Sequence, residues 1–314
     1  MSFYSFLLIC FSASLHFHLS FLTCFTDIKI RGHTVFWAKT KWVQQWVQDL
    51  SNADLQSAME TRVTNLISRY KERLIHWDVN NEMLDGSFYK DRLGSTIRPW
   101  MFNRVKELDP STLTFVNDYN IIRSPYEVAE YKQQITGLIN QGAIINGIGV
   151  QGHFVVDRPV DGAQVKASLD SLAELNLPIW ITEYDSMTSD VEQRADDLET
   201  VYRVAFAHPA VKGILMWGFW ELEHWRGADG ALVDADWTVN AAGQRYQQLM
   251  EEWKTSLNGL ITNTAGKTDA FRGFHGKYAV TVNYPDDQQE VFEVYLPSEG
   301  GDTGEVEFNL QKSQ

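Results

Sequence analysis

Short apolar runs alternate with longer amphipathic stretches from Asp27 onward. Ile28 to Trp37 predicts a strand carrying the run RGHT. Asp54 to Tyr70 places Leu55, Met59, Val63, Leu66, Ile67 and Tyr70 on one helical face, with Ser51 or Asn52 as the cap. Strands are predicted at Leu74 to Val79, Leu113 to Asn117, Ala143 to Gln151, Ile179 to Glu183 and Gly213 to Phe219. Helices are predicted at Pro99 to Leu108, Tyr126 to Gln141, Val165 to Leu175, Val191 to Ala207 and Ala242 to Trp253. Asp109-Pro110 and Gly142 stop the second and third helices, and Pro178 opens a strand.

That makes six strand–helix units, which implies parallel strands joined by helical crossovers. A doubly wound sheet and a (β/α)8 barrel both fit the alternation. Polar and aromatic residues at the strand ends favour the barrel: His33, Asn81 with Glu82, Gln151 with His153, Glu183 and Trp217. Barrel active sites gather at the C-terminal ends of several strands. No glycine-rich phosphate loop marks a doubly wound site.

Beyond Gly259 the period changes. Tyr278 to Tyr284 and Glu290 to Leu296 alternate around Pro285-Asp286-Asp287, which predicts a β-hairpin, and Glu305 to Leu310 predicts a further strand. Three segments follow: an apolar one over 1–26, a barrel segment over 27–258 and a small β extension over 259–314. Phe3 to Phe25 reads first as a secretory signal peptide with a cleavage site near Ser14, hence a secreted protein. A membrane anchor and a mistranslated gene edge are the other readings, the anchor weakened by interrupting Ser and His residues.

A formal net charge of −14 argues against nucleic-acid or anionic-membrane partners, which reward basic surfaces. A neutral polymer is compatible with it. Both cysteines, Cys10 and Cys24, precede Thr26, so the rest of the chain has no disulfide framework and no thiolate metal site. Trp217, Trp220, Trp225 and Trp237 crowd one short stretch, and indole faces suit sugar rings as well as cores.

HWDVNNE, residues 76–82, puts Glu82 at a strand end, where a carboxylic acid can protonate a leaving oxygen. Its bland use is a carboxylate at a helix N-terminus. WITEYD, residues 180–185, closes a buried strand on Glu183, where a charge is costly without partners. Its bland use is a structural ion pair. Two carboxyl groups on separate strands are what glycoside cleavage needs, about 5 to 5.5 Å apart in retaining enzymes. His153, on GVQGHF with Gln151, can orient a carboxylate. A zinc site is the rival use of His33, His153 and the glutamates, but no H-x-x-x-H or H-x-x-E-H helix is present. Paired carboxylates imply no cofactor.

RGHTVFW, WDVNNE, VNDYN, GVQGH, ITEYD and WGFWELEHWR with LVDADW and NAAGQRY resemble glycoside hydrolase family 10, the endo-β-1,4-xylanases, in order from Arg31 to Tyr246. The resemblance implies a (β/α)8 barrel hydrolysing β-1,4-xylan with retention. It implies Glu82 as acid/base, Glu183 as nucleophile and Asn81 for the 2-hydroxyl of the reacting sugar. His153 would contact the nucleophile and His33 a sugar hydroxyl. Trp217 and Trp225 would meet the sugar ring, with Gln151 in the same shell and Trp37 a further substrate contact. The chain departs from the family in three places. Asn80 stands where the family usually has a valine, and a buried amide there needs a partner. Ala38 follows Trp37 where the family commonly has histidine. RGHT belongs to the family's third strand, so the first two βα units are expected to be missing, with two unpaired sheet edges. A weakly active or inactive xylan-binding relict and a β-1,4-glucanase are the alternatives to a xylanase.

Overall fold

The structure is a computed structural model that describes residues 6–10, 29–155, 158–270, 273–284 and 288–296. Among the described residues the strands are β1 (Phe6–Cys10), β2 (Lys29–His33), β3 (Phe36–Trp37), β4 (His76–Asn81), β5 (Leu113–Asp118), β6 (Gly147–Val150), β7 (His153–Val155), β8 (Ile179–Met187), β9 (Val211–Met216), β10 (Gly276–Asn283) and β11 (Gln289–Leu296). The path β1-β2-β4-β5-β6-β8-β9 is parallel throughout, with β3 added to β4 and β7 to β8. Helices connect the strands in the order expected of a (β/α)8 barrel: Asn52–Tyr70, Phe88–Leu93, Ile97–Leu108, Pro125–Asn140, Gly162–Ala173, Val191–Ala207 and Ala241–Glu252.

Local chemistry explains the helices. Ser51 caps the first by accepting from the Asp54 amide, and Leu55, Met59, Val63 and Ile67 recur every four residues on its buried face. Leu66 and Tyr70 on the same face are half-buried. Ser124, Asp161 and Asp190 cap later helices with their side chains. Across the sheet, large side chains lie over glycines of the next strand. A β-carbon on Gly32 would come within 2.2 Å of Trp77, on Gly147 within 2.2 Å of Phe115, and on Gly213 within 2.2 Å of Trp180. These pairs close the floor of the curled sheet, where Phe115, Trp180 and Leu215 cluster.

Several expectations change. The single strand from Ile28 splits into β2 and β3, and Thr34 and Val35 between them bond to the Asp78 carbonyl instead of continuing one ladder. The strand beginning at Ala143 is shorter, from Gly147, and that ending at Phe219 stops at Met216. The strand expected to end at Glu183 runs on to Met187, because β7 pairs with its second half. The helix Phe88–Leu93 was not expected. The edge of β2 is also not bare: β1, from the apolar segment, pairs with it from Phe6↔Lys29 to Cys10↔His33. The far edge of β9 has no strand partner among the described residues.

The described chain forms two compact units, one from Tyr4 to Gln247 and one carried by the residues after it. The second contains the expected hairpin, β10 antiparallel to β11, with half-buried and exposed residues alternating. Its turn, Pro285 to Asp287, and the strand expected at Glu305 to Leu310 lie outside the described residues, as does most of Phe3 to Phe25. No helix among the described residues is long and apolar enough to cross a membrane.

Candidate active site

The polar residues that end the strands converge. In β4, His76 stacks on Phe115 at 4.4 Å, and Asp78 pairs with both terminal nitrogens of Arg31. The β4–β5 register then shifts between Asp78 and Asn80. This irregularity exchanges the faces, so Asn81 rather than Asn80 joins the inward side and meets Asn117. Glu82 follows with φ 57°, its amide donating to the Asn117 carbonyl at 2.9 Å. Asn80 is buried, and its Oδ1 has no hydrogen-bond partner among the described residues.

Glu183 is held by three side chains. Asn117 Nδ2 donates to its Oε1 at 2.8 Å, His153 Nε2 lies 3.1 Å from its Oε2, and His33 Nδ1 lies 3.8 Å from Oε1. Burial pushes its pKa up, but the charges and hydrogen bonds of His33, His153 and Asn117 outweigh that and leave it lowered. Asn117 is fixed in turn by Thr182, whose hydroxyl donates to Oδ1 at 2.6 Å. His33 bonds Asp78 at 2.8 Å. Burial lowers its pKa, while Glu183 and Asp78 raise it to a net upward shift.

His153 lies between two acids. Its Nδ1 is 3.0 Å from Asp185 Oδ1, close but off the hydrogen-bond axis. Burial lowers its pKa, yet Asp185 and Glu183 together raise it to about 9. Asp185 also accepts from Trp225 Nε1 at 2.5 Å and Arg226 Nε at 3.1 Å. Gln151 Nε2 approaches Glu82 Oε1 at 3.3 Å. Behind Glu82, burial pushes Asp118 up to about 7 even though its carboxylate accepts from two backbone amides, those of Leu84 and Tyr119.

The structure thus gathers Glu82, Glu183, Asn81, Gln151, His33 and His153. Trp37 and Trp217 each meet the His33 ring edge-on at 5.6 Å, and Trp225 lies 5.1 Å from His153. His33, Asp78 and Glu183 offer donor atoms within 4.8 Å of one another, a spacing that suits a cation. Arg31 already engages both oxygens of Asp78, so the set works as an ion-pair network. Asn117, Asp78 and Asp185 were not singled out from the sequence. Asn117 could have been, since it closes a predicted strand just as Glu183 does; the other two show their partners only across strands.

The glycosyl hydrolase family 10 model matches residues 22–250. The chain is 47% identical over 258 residues to "Anti-sigma-I factor RsgI6" of Acetivibrio thermocellus, covering 82% of this chain and 33% of that protein. It is 46% identical over 264 residues to "Endo-1,4-beta-xylanase 3" of Arabidopsis thaliana, covering 82% and 34%. The chain therefore spans about a third of the length of these curated relatives. Native xylanase 10B from Thermotoga maritima shares the fold, with a TM-score of 0.67, 24% identity and coverage of 75% of this chain and 78% of that one. By its match to the family model and to relatives of 46 to 47% identity, this chain belongs to glycosyl hydrolase family 10.

Proposed function

We propose that the chain hydrolyses the β-1,4-xylosidic bonds of xylan by double displacement with retention, Glu183 as nucleophile and Glu82 as acid/base. The observation that carries this is the buried Glu183 carboxylate, held charged by two histidines and an asparagine. Glu183 attacks the anomeric carbon while Glu82 gives its proton to the departing oxygen, and the glycosidic bond breaks. Water then attacks the glycosyl–Glu183 ester as Glu82 takes its proton, which frees the sugar and restores both groups. Asn81 Nδ2 is buried without a partner among the described residues and is available to the sugar 2-hydroxyl. Trp217 and Trp225 both lie beside His153, at 6.0 and 5.1 Å between ring centres, and their apolar faces suit a sugar ring.

The xylanase name of the Arabidopsis relative supports xylan as the substrate. The anti-sigma factor carries a regulator's name, so turnover is the measurement that counts. An extracellular place of action is part of the proposal and rests on the apolar run Phe3 to Phe25. Release of reducing sugar from xylan, with little from carboxymethylcellulose, is expected. NMR of the first-formed product should show the β-anomer; an initial α-anomer would remove Glu183 from the nucleophile's role.

A further inference from the structure

Beside Glu82 stands a lysine to which the hydrolytic mechanism assigns nothing. Lys39 follows Ala38, the position at which the family resemblance leads one to expect histidine. The Ala38 backbone is pinned: its amide donates to the Asn81 carbonyl at 2.9 Å and its carbonyl accepts from Phe88 at 3.0 Å. A β-carbon on Gly86 would lie 2.7 Å from that of Ala38, so the backbones pack closely there. The next side chain, Lys39, reaches the acid/base.

Lys39 Nζ lies 3.6 Å from Glu82 Oε2 and 3.7 Å from Asp85 Oδ2. Both distances exceed ordinary hydrogen-bond length. One of its three N–H groups donates to the Tyr119 hydroxyl at 2.6 Å, and Tyr119 in turn donates to Asp85. The ammonium also lies 4.2 Å from the centre of the Tyr119 ring. Two N–H groups therefore remain without an acceptor at bonding distance among the described residues. The side chain is 19% exposed, so a ligand can reach it. Burial lowers its pKa, but Tyr119 and Glu82 raise it further, so the ammonium stays charged.

Position decides what this cation meets. Glu183 is touched by His33, His153 and Asn117, whereas Lys39 touches Glu82, Tyr119 and Asp85. Lys39 is thus on the acid/base side of the pair. The proton of an acid/base goes to the oxygen of the departing sugar, so that sugar occupies the same side. Sugar hydroxyls accept hydrogen bonds, and bonds from a cation are the stronger kind.

We propose that Lys39 is a specificity-determining residue whose Nζ donates to a hydroxyl of the sugar on the departing side of the cleaved bond. This rests on Glu82 being the acid/base. Glu82, Asp85 and Tyr119 hold the ammonium in place without saturating it.

Two substrates separate this role from a structural one. In the full chain, Lys39→Met should lower kcat/KM on xylotetraose roughly tenfold and leave that on an aryl xylobioside within about twofold, because the aryl group offers no sugar hydroxyl. Lys39→Arg keeps a cation with donors and should retain most of the preference for xylotetraose. Equal losses on both substrates, or no loss on xylotetraose, overturn the proposal. A binding measurement needs no turnover: calorimetric titration of xylotetraose into Glu183→Ala, with and without Lys39→Met. Affinity should fall by a similar factor when Lys39 is replaced, and unchanged affinity, or no binding by the parent form, overturns the proposal. If the parent form binds and Lys39 matters while the native chain releases no sugar, the hydrolytic reading fails and takes the departing-side assignment with it, leaving Lys39 as a sugar-binding donor alone.

Discussion

Glu183 and Glu82 differ in what surrounds them, and their substitutions should differ too. Glu183→Ala removes the proposed nucleophile and should cost at least about 10^4-fold in kcat on every substrate. Glu82→Ala should retain measurable activity on aryl glycosides whose leaving group needs no proton, with added azide speeding the second step. Equal losses on such substrates would dissolve the division of roles. His153 gives a pH signature. Its folded pKa of about 9 lies above the ordinary 6.5, so the stability it contributes is fully present below about pH 6.5 and is lost as pH rises through about 9. Urea unfolding midpoints should therefore fall more steeply across that window in the native chain than in His153→Gln, and parallel curves would refute the assignment. Asn80 makes the opposite kind of case. Its buried, unpartnered Oδ1 predicts that Asn80→Val stabilises by about 1 to 2 kcal/mol in denaturant unfolding. Glu82, Glu183, Asn81 and His153 could be picked out of the sequence because each falls at or just beyond the end of a predicted strand. Asp78 and Asp185 were not, since what gives each its meaning, Arg31 and Arg226 respectively, lies on a different segment.

The helices were the most legible elements, because a four-residue apolar spacing and a capping serine or aspartate are local signals. The strands were less so. The break between β2 and β3 and the shift between Asp78 and Asn80 come from bonds to neighbouring strands, which no window of sequence contains. The pairing of β1 with β2 is the clearest such case, since the apolar run fits both a leader and a sheet strand. The two uses exclude each other: a leader cleaved near Ser14 takes Phe6–Cys10 away with it. A chain beginning at Asp27 should melt several degrees below the full chain, because the backbone groups of β2 lose their partners. Equal melting temperatures would show that β1 adds nothing, and the mass of exported protein would show whether it is kept.

On the scale of the whole molecule, the barrel pattern was legible because five of six consecutive predicted strands end in polar or aromatic residues. The C-terminal hairpin was legible from alternation alone. What no pattern revealed is the backbone at Glu82, left-handed with φ 57°. A side chain with a β-carbon holds that conformation at a cost of about 1 to 2 kcal/mol, which glycine escapes. Against a net stability of about 5 to 15 kcal/mol for a domain, this is a sizeable fraction. Glu82→Gly should therefore unfold at a higher denaturant midpoint, by about 1 kcal/mol, while losing acid catalysis; a lower midpoint would mean that the carboxylate's contacts outweigh the strain. If the midpoint rises, random substitution at this codon is pulled in two directions. A sturdier, idle barrel would then lie a single substitution away, and the strain at this position measures what the proposed acid/base costs the fold.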